Sequence, residues 1–442
     1  MTERVLGSPF SFAARGGLVV ATLALAALAT GCGAKTGLDV PDAQVDAGMD
    51  AGPDAMIPCI EIPLDGGLVE LPLQTQVELG RADVVFAIDT TASMGQEIDQ
   101  IRANLRERIA PGITNAIRDS QIGVTTFADF PVGSCGDATE NDLPFRLVLP
   151  VSPDIGRVQS AVDSIGLDNG SDEPESQVEA LYQIATGEGI APWVPASFGC
   201  PMGGFGYPCF RNDALPVVLM FSDAPFHNGP GGARPYSAAC PAVEPAAHDY
   251  DEAVEALNAT GIRVIGLYSG PPRDDGFRHL QQVAIDTGAV SDGQPLVFDI
   301  GERGERLSES VIQAIATLAD IVEFDIDIAL FDVDRTDAVD PRDFVEAVVP
   351  LRAEPMEGVR EIDFDAGVFR GVQTGTRVVF GLRLRAGAVA PGVGPQRFLL
   401  EVVFRGDMRT RIDSIIIEIV VPGADGTGCE MNGGVVGPLP PG

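Results

Sequence analysis

The 442-residue sequence predicts an α/β chain, a doubly wound, mostly parallel sheet followed by a C-terminal antiparallel β-sandwich. Three observations carry that expectation. Apolar runs at 84–88, 217–221 and 264–267 are too continuous for strands with one wet face and suit strands covered on both sides. They alternate with helical stripes, Ile98, Ile101, Leu105 and Ile109 in one case and Leu307, Val311, Ile315 and Leu318 in another. After Glu323 the rhythm shortens to strands at 324–333, 377–385, 397–405 and 411–421; Phe380, Leu382 and Leu384 share one face there, Arg383 and Arg385 the other.

Taken in chain order, residues 1–31 come first. Arg4 and Arg15 precede an apolar run at 17–29 that is short for a membrane span, and the segment ends Leu-Ala-Thr-Gly-Cys32. This reads as a secretion signal. The small residues before the cysteine resemble the bacterial lipobox, with Ala29 where that motif usually has Leu. The resemblance implies lipidation of Cys32; ordinary cleavage leaving a free thiol is the alternative. Gly33 in place of Asp resembles the outer-membrane sorting rule of Gram-negative lipoproteins, so an outer-membrane lipoprotein at the cell surface or periplasmic face is expected, held by more than one acyl chain.

Residues 32–58 are Ala, Gly, Pro and Asp with little to bury, and are expected to be a disordered acidic tether spanning roughly 25–30 Å. Segment 59–81 looks like strands that join the sandwich, 82–322 is the α/β unit, 323–422 the sandwich and 423–442 a Gly- and Pro-rich mobile tail. The 64 acidic residues against 29 basic ones give a net charge of −35, and loss of Glu3, Arg4 and Arg15 with the signal would make it −36. Such a surface disfavours nucleic acid and anionic headgroups and favours divalent cations. The cysteines Cys59, Cys135, Cys200, Cys209, Cys240 and Cys429 are an even set in an exported chain, so three disulfides with 15 conceivable connectivities are expected. A Cys59–Cys429 bond would staple the ends, leaving the other four to pair among themselves. Zinc is the competing use of these cysteines, but there is no Cys-x-x-Cys.

The chemistry concentrates where the 84–88 run ends. Asp89, Thr91 and Ser93 place one carboxylate and two hydroxyls at a strand's carboxyl end, where open α/β sheets carry their ligands, and oxygens of this kind suit a hard divalent cation. Two more segments offer oxygens: Asn169-Gly-Ser-Asp-Glu-Pro-Glu175, and the 217–221 run leading into Asp223-Ala-Pro-Phe-His227.

At these residues the chain resembles the von Willebrand A domain, a Rossmann-like fold, and more narrowly the A-type domain of integrin beta subunits. Asp89, Thr91 and Ser93 match its adhesion motif, Asp172-Glu-Pro174-Glu175 its Asp-x-Pro-Glu loop, Asp223 to His227 its Asp-Ala-x-x-His, and Phe127-Ala-Asp129 extends the match. The resemblance implies a metal-ion-dependent adhesion site where Thr91, Ser93 and Glu175 touch Mg2+ or Mn2+, with Asp89 and Asp223 acting through water. It implies a neighbouring site, suited to Ca2+, on Asp129, Asp172, the carbonyl of Pro174, and Glu175. A third ion would fall on Glu97, where the family's acidic pair is matched only by Gln96 and Glu97. Asn169 lies one residue too far from Asp172 for the second-site pattern, and the family's cysteine-bearing specificity loop is shortened. The sandwich with the α/β unit inserted into it resembles the integrin hybrid domain in topology.

A cation with few anionic ligands keeps charge and an open position for a partner's carboxylate. The expected function is therefore cation-dependent capture of an acidic protein or glycan ligand, extracellular or in the envelope, without bond breaking. An envelope scaffold with a fold-stabilising metal is the alternative. A metal-dependent hydrolase is the least supported, because the three histidines His227, His248 and His279 sit in no catalytic motif, and His227 reads as a brace for the Asp223 loop. Loops 196–213 and 228–247 are expected either to form a recognition rim or merely to cap the domain.

Overall fold

The central apolar run becomes strand Arg81–Asp89, in which Val84, Val85, Phe86, Ala87 and Ile88 are all fully buried. Its side chains alternate between two layers, as pleating requires. Val84, Phe86 and Ile88 join a core with helices Gly95–Asn104, Ile155–Asp163 and Leu307–Ile321. Val85 and Ala87 join another with helices Gln177–Thr186, Tyr250–Thr260 and Asp275–Asp286. Both expected helical stripes are buried. The computed structural model describes residues 57–139, 141–243, 247–336, 338–424 and 426–429. The expected signal 1–31, Cys32, nearly all of the tether 32–58 and most of the tail 423–442 lie outside these residues.

Six strands form the sheet in the order Val297–Asp299, Arg263–Tyr268, Leu215–Ser222, Arg81–Asp89, Asp119–Phe127, Arg146–Ser152. All neighbours are parallel except the last pair. The chain order reverses direction between Arg81–Asp89 and Leu215–Ser222, a switch point that leaves a crevice beyond their carboxyl ends. At the opposite edge, fully buried Asp83 accepts hydrogen bonds from the Arg211 amide (2.6 Å) and Nε (2.8 Å), while Arg211 also donates to Asp119 (2.7 Å).

Apart from a short hairpin of Val290–Ser291 and Gln294–Pro295, the remaining strands make a six-stranded sheet, in the order Cys59–Glu61, Thr410–Val421, Gln396–Gly406, Glu323–Asp332, Val368–Gln373, Val359–Asp363, and a three-stranded one, Val345–Glu354, Arg377–Arg385, Leu68–Gln76. Phe369 and Phe404 of the first meet Phe380 of the second, with ring centroids 4.9 and 6.1 Å apart. Two features depart from expectation. Cys59–Glu61 runs parallel to its neighbour, and strands Val345–Glu354, Val359–Asp363 and Val368–Gln373 were not foreseen. Val345–Glu354 contains Pro350 and is largely half-buried, so its apolar alternation is weak.

The disulfides are Cys59–Cys429, Cys135–Cys240 and Cys200–Cys209. They also separate the two long loops. The Cys200–Cys209 loop precedes strand Leu215–Ser222 and turns toward the antiparallel sheets: the Arg409 guanidinium lies 4.7 Å from the Phe205 ring, and the Arg411 amide donates to the Asp213 carbonyl (2.9 Å). It therefore does not rim the crevice. The loop after His227 reaches the crevice edge, where Arg234 lies 3.3 Å from Glu173, and Cys240 ties it to Cys135.

Candidate functional site

Strand Arg81–Asp89 ends in a tight turn in which Asp89 Oδ1 accepts from the Thr91 amide (3.0 Å) and hydroxyl (2.7 Å). Asp89 Oδ2 accepts from Ser222 Oγ (2.9 Å), which in turn accepts from Gln177 Nε2 (2.9 Å). Thr91 Oγ1 lies 3.4 Å from Ser93 Oγ, and Ser93 donates to Asp223 Oδ1 (3.2 Å). Both hydroxyl protons thus point at carboxylates, which leaves oxygen lone pairs turned outward. A neutral hydroxyl needs that orientation to ligate a cation.

The third segment is held over this turn by its own frame. Thr90 donates to Asp168 Oδ2 (2.6 Å), and the Asp168 amide donates to the Thr90 carbonyl (2.7 Å). Buried Asp142 accepts from the Asn169 amide (2.9 Å), and Ser176 Oγ donates to the Ala128 carbonyl (2.7 Å). Glu175 is locked by its amide to the Pro225 carbonyl (3.0 Å) and by the His227 amide to its own carbonyl (2.8 Å). Gly170 adopts φ +59°, and a Cβ there would stand 2.7 Å from Glu175 Oε1 and 2.9 Å from Thr91 Cγ2.

Thr91, Ala92, Ser93, Asn169, Asp172, Glu173, Glu175, Asp223 and Ala224 line a cavity of about 340 Å³. Four of the five expected main-site residues lie on its wall, and Asp89 lies directly behind. Glu175 Oε2 and Asp172 Oδ1 are buried without a hydrogen-bond partner. An unpaired buried carboxylate oxygen is costly, so such atoms fit a cation. Burial raises the pKa of Asp89, with Asp223 adding repulsion, and raises Glu175 well above the carboxylate range, with Asp89, Asp129 and Asp172 adding to it.

The expected second site looks different from its oxygen-only outline. Asp129 is fully buried, and its Oδ2 and Asp172 Oδ2 each lie 3.3 Å from His227 Nε2. His227 Nδ1 faces the Arg234 carbonyl at 2.9 Å, and Tyr236 Oη donates to Asp129 Oδ1 (2.5 Å). Burial works against charge on His227, but the Asp129 and Asp172 carboxyl groups beside it prevail and hold its pKa up at about 9. For Asp129 burial prevails over His227, and its pKa rises to about 6. His227 thus braces two acids as well as its loop. Sequence separation hid this: Asp172 and Tyr236 lie 55 and 107 residues from the partners they meet here. Pro174 is buried next to Glu175.

Glu97, where a third ion was placed, is buried in the first turn of helix Gly95–Asn104 with Oε2 unpaired and its pKa raised to about 7 by burial. Asp223 and Glu305 are the acids that influence it. The other histidines are engaged elsewhere. His248 Nδ1 lies 2.9 Å from Glu179 Oε2, and His279 Nδ1 accepts from the Phe226 amide (3.0 Å).

No family model matches the chain, and neither does any curated protein. Among solved structures it is similar to a von Willebrand factor type A protein from Catenulispora acidiphila, with a TM-score of 0.35 and 11% identity over 83% of this chain and 72% of that one.

Proposed function

We propose that this chain is an outer-membrane lipoprotein that captures a carboxylate-bearing protein or glycan, extracellular or in the envelope, through a bound Mg2+ or Mn2+. The observation that carries this is the row of oxygens from Thr91, Ser93 and Asp223 along one cavity wall, faced by Glu175 with a buried, unpaired Oε2. Thr91, Ser93 and Glu175 would hold the ion, with Asp89 and Asp223 fixing the hydroxyls from behind. The ion supplies an open coordination position and residual positive charge for the partner's carboxylate. Gly170 leaves room for Glu175, and Asp142 and Asp168 keep the covering loop in place. On this reading the antiparallel sheets form a sandwich of residues 59–81 and 323–422 that carries the inserted unit 82–322, as in the integrin hybrid domain. Cys32 carries the lipid.

The protein is not proposed as an enzyme, because each imidazole is committed to a carboxylate, a carbonyl or an amide, and His227, the one beside the cavity, is held between Asp129, Asp172 and the Arg234 carbonyl. Calorimetry and a cation-dependent pull-down test the main reading. T91A/S93A should lose magnesium uptake and partner capture while its metal-free melting temperature stays unchanged. Native-like magnesium and manganese binding by T91A/S93A would refute it. The burial of Asp89 and Glu175 favours a second reading, a scaffold whose metal only stabilises the fold. In that case the native chain would gain stability with magnesium yet capture no partner. Labelled palmitate on the native chain but not on C32S is the expected result for the anchor.

A further inference from the structure

Beside the cavity, Asp129, Cys135, Asp172 and His227 offer ligand atoms that all lie within 4.8 Å of one another. Cys135 is bonded to Cys240 and has no thiolate to give. Three donors remain, and one is a nitrogen, which a calcium site of oxygens does not use.

The geometry of these three suits a metal better than a simple ion pair. His227 Nε2 stands 3.3 Å from both Asp129 Oδ2 and Asp172 Oδ2. Charged N–H···O bonds are shorter, about 2.7–2.9 Å. With metal–ligand bonds of about 2.0–2.1 Å, the edge of a tetrahedron is about 3.3–3.4 Å, which matches the two nitrogen–oxygen spacings. Asp129 Oδ2 is also buried without a hydrogen-bond partner.

The surroundings are those of a held ligand set. A metal-binding histidine usually directs its other ring nitrogen to a carbonyl or carboxylate, and His227 Nδ1 faces the Arg234 carbonyl at 2.9 Å. Asp129 Oδ1 accepts from Tyr236 Oη (2.5 Å) and from the Phe130 amide (2.6 Å), which leaves Oδ2 to face inward. The Tyr236 ring stacks on His227 at a centroid distance of 4.2 Å. Arg234 and Tyr236 belong to the loop that the Cys135–Cys240 disulfide pins, so that loop orients the ligands.

We propose that Asp129, Asp172 and His227 form a second metal site of mixed nitrogen and oxygen donors that takes zinc, with its remaining position open to water. The site does not depend on the magnesium reading, because it shares neither Thr91 nor Ser93.

The test is zinc chloride titrated by calorimetry into the full-length chain, with magnesium in excess, alongside H227Q and D172N. The native chain should take up one equivalent, and each variant should bind it about a hundredfold more weakly or worse. X-ray absorption at the zinc edge should show imidazole scattering from the native complex that H227Q lacks. D172N keeps the test valid if H227Q does not fold, because the Asp172 side chain is 26% exposed and its loss does not empty the core. D89N should lose magnesium yet keep zinc, which separates this site from the main one. Absence of zinc uptake by the native chain, or uptake unchanged in both variants, would overturn the proposal and leave His227 as a fixed cation between two aspartates.

Discussion

Gly170 shows how little freedom a single residue has beside the cavity. Its φ of +59° disfavours any side chain, and a Cβ would press on Glu175 Oε1 at 2.7 Å. Gly170→Ala is therefore expected to cost about 1–3 kcal/mol, read by urea unfolding, and to weaken magnesium binding by displacing Glu175. Unchanged stability and affinity would mean that the loop yields freely. At the far end of the same sheet, the buried Asp83 carboxyl group is held by Arg211, which meets it twice. Burial pushes the Asp83 pKa up against that pairing. Arg211→Ala would strand the carboxylate, and the expected loss is about 3–5 kcal/mol, measured as a lower urea midpoint.

Among the elements, the two strands at the switch point do most to make the site. Arg81–Asp89 and Leu215–Ser222 deliver Asp89 and Asp223 from adjacent carboxyl ends, and this part was legible because five or more consecutive apolar residues precede each acid. The loops were less legible. Composition made 196–213 and 228–247 look alike, both Gly- and Pro-rich with cysteines. Only the second flanks the cavity, because the first enters at the amino end of its strand. Breaking Cys135–Cys240 as C135S/C240S should therefore act at the site. A loss of about 2–4 kcal/mol is expected, with faster amide exchange at Arg234 and Tyr236. If exchange rises only around Cys200, the disulfide does not order this loop.

Across the whole molecule, the buried acids make stability depend on pH in a definite direction. Burial holds protons on Asp129 up to about 6 and on Glu97 up to about 7, whereas the unfolded chain releases them at about 4. Between those limits the folded state binds more protons, so this stabilisation is complete below about pH 4 and is lost as pH rises through 6 and 7. His227, held up at about 9, acts with the same sign, present below about 6.5 and lost through 9. Exposed Asp334 and half-buried Asp137 and Asp363 have lowered pKa values and matter only at lower pH. The metal-free melting temperature should thus fall between about pH 5 and 8, and excess magnesium should remove much of the fall. A metal-free melting temperature that climbs over that interval would contradict this account. Chelation should likewise destabilise the protein more at the upper pH.

By itself the sequence determined the α/β core, the placement of Asp89, Thr91, Ser93 and Asp223 at strand ends, and an even set of cysteines. Those features are written in local periodicity, which backbone geometry reads within a few residues. Tertiary structure alone decided that Cys135 meets Cys240, that Asp142 and Asp168 hold the covering loop, and that His227 stands between Asp129 and Asp172. Such contacts join residues tens to hundreds of positions apart. Parallel pairing and loop closure bring them together only when the whole sheet has formed, so no local pattern encodes them.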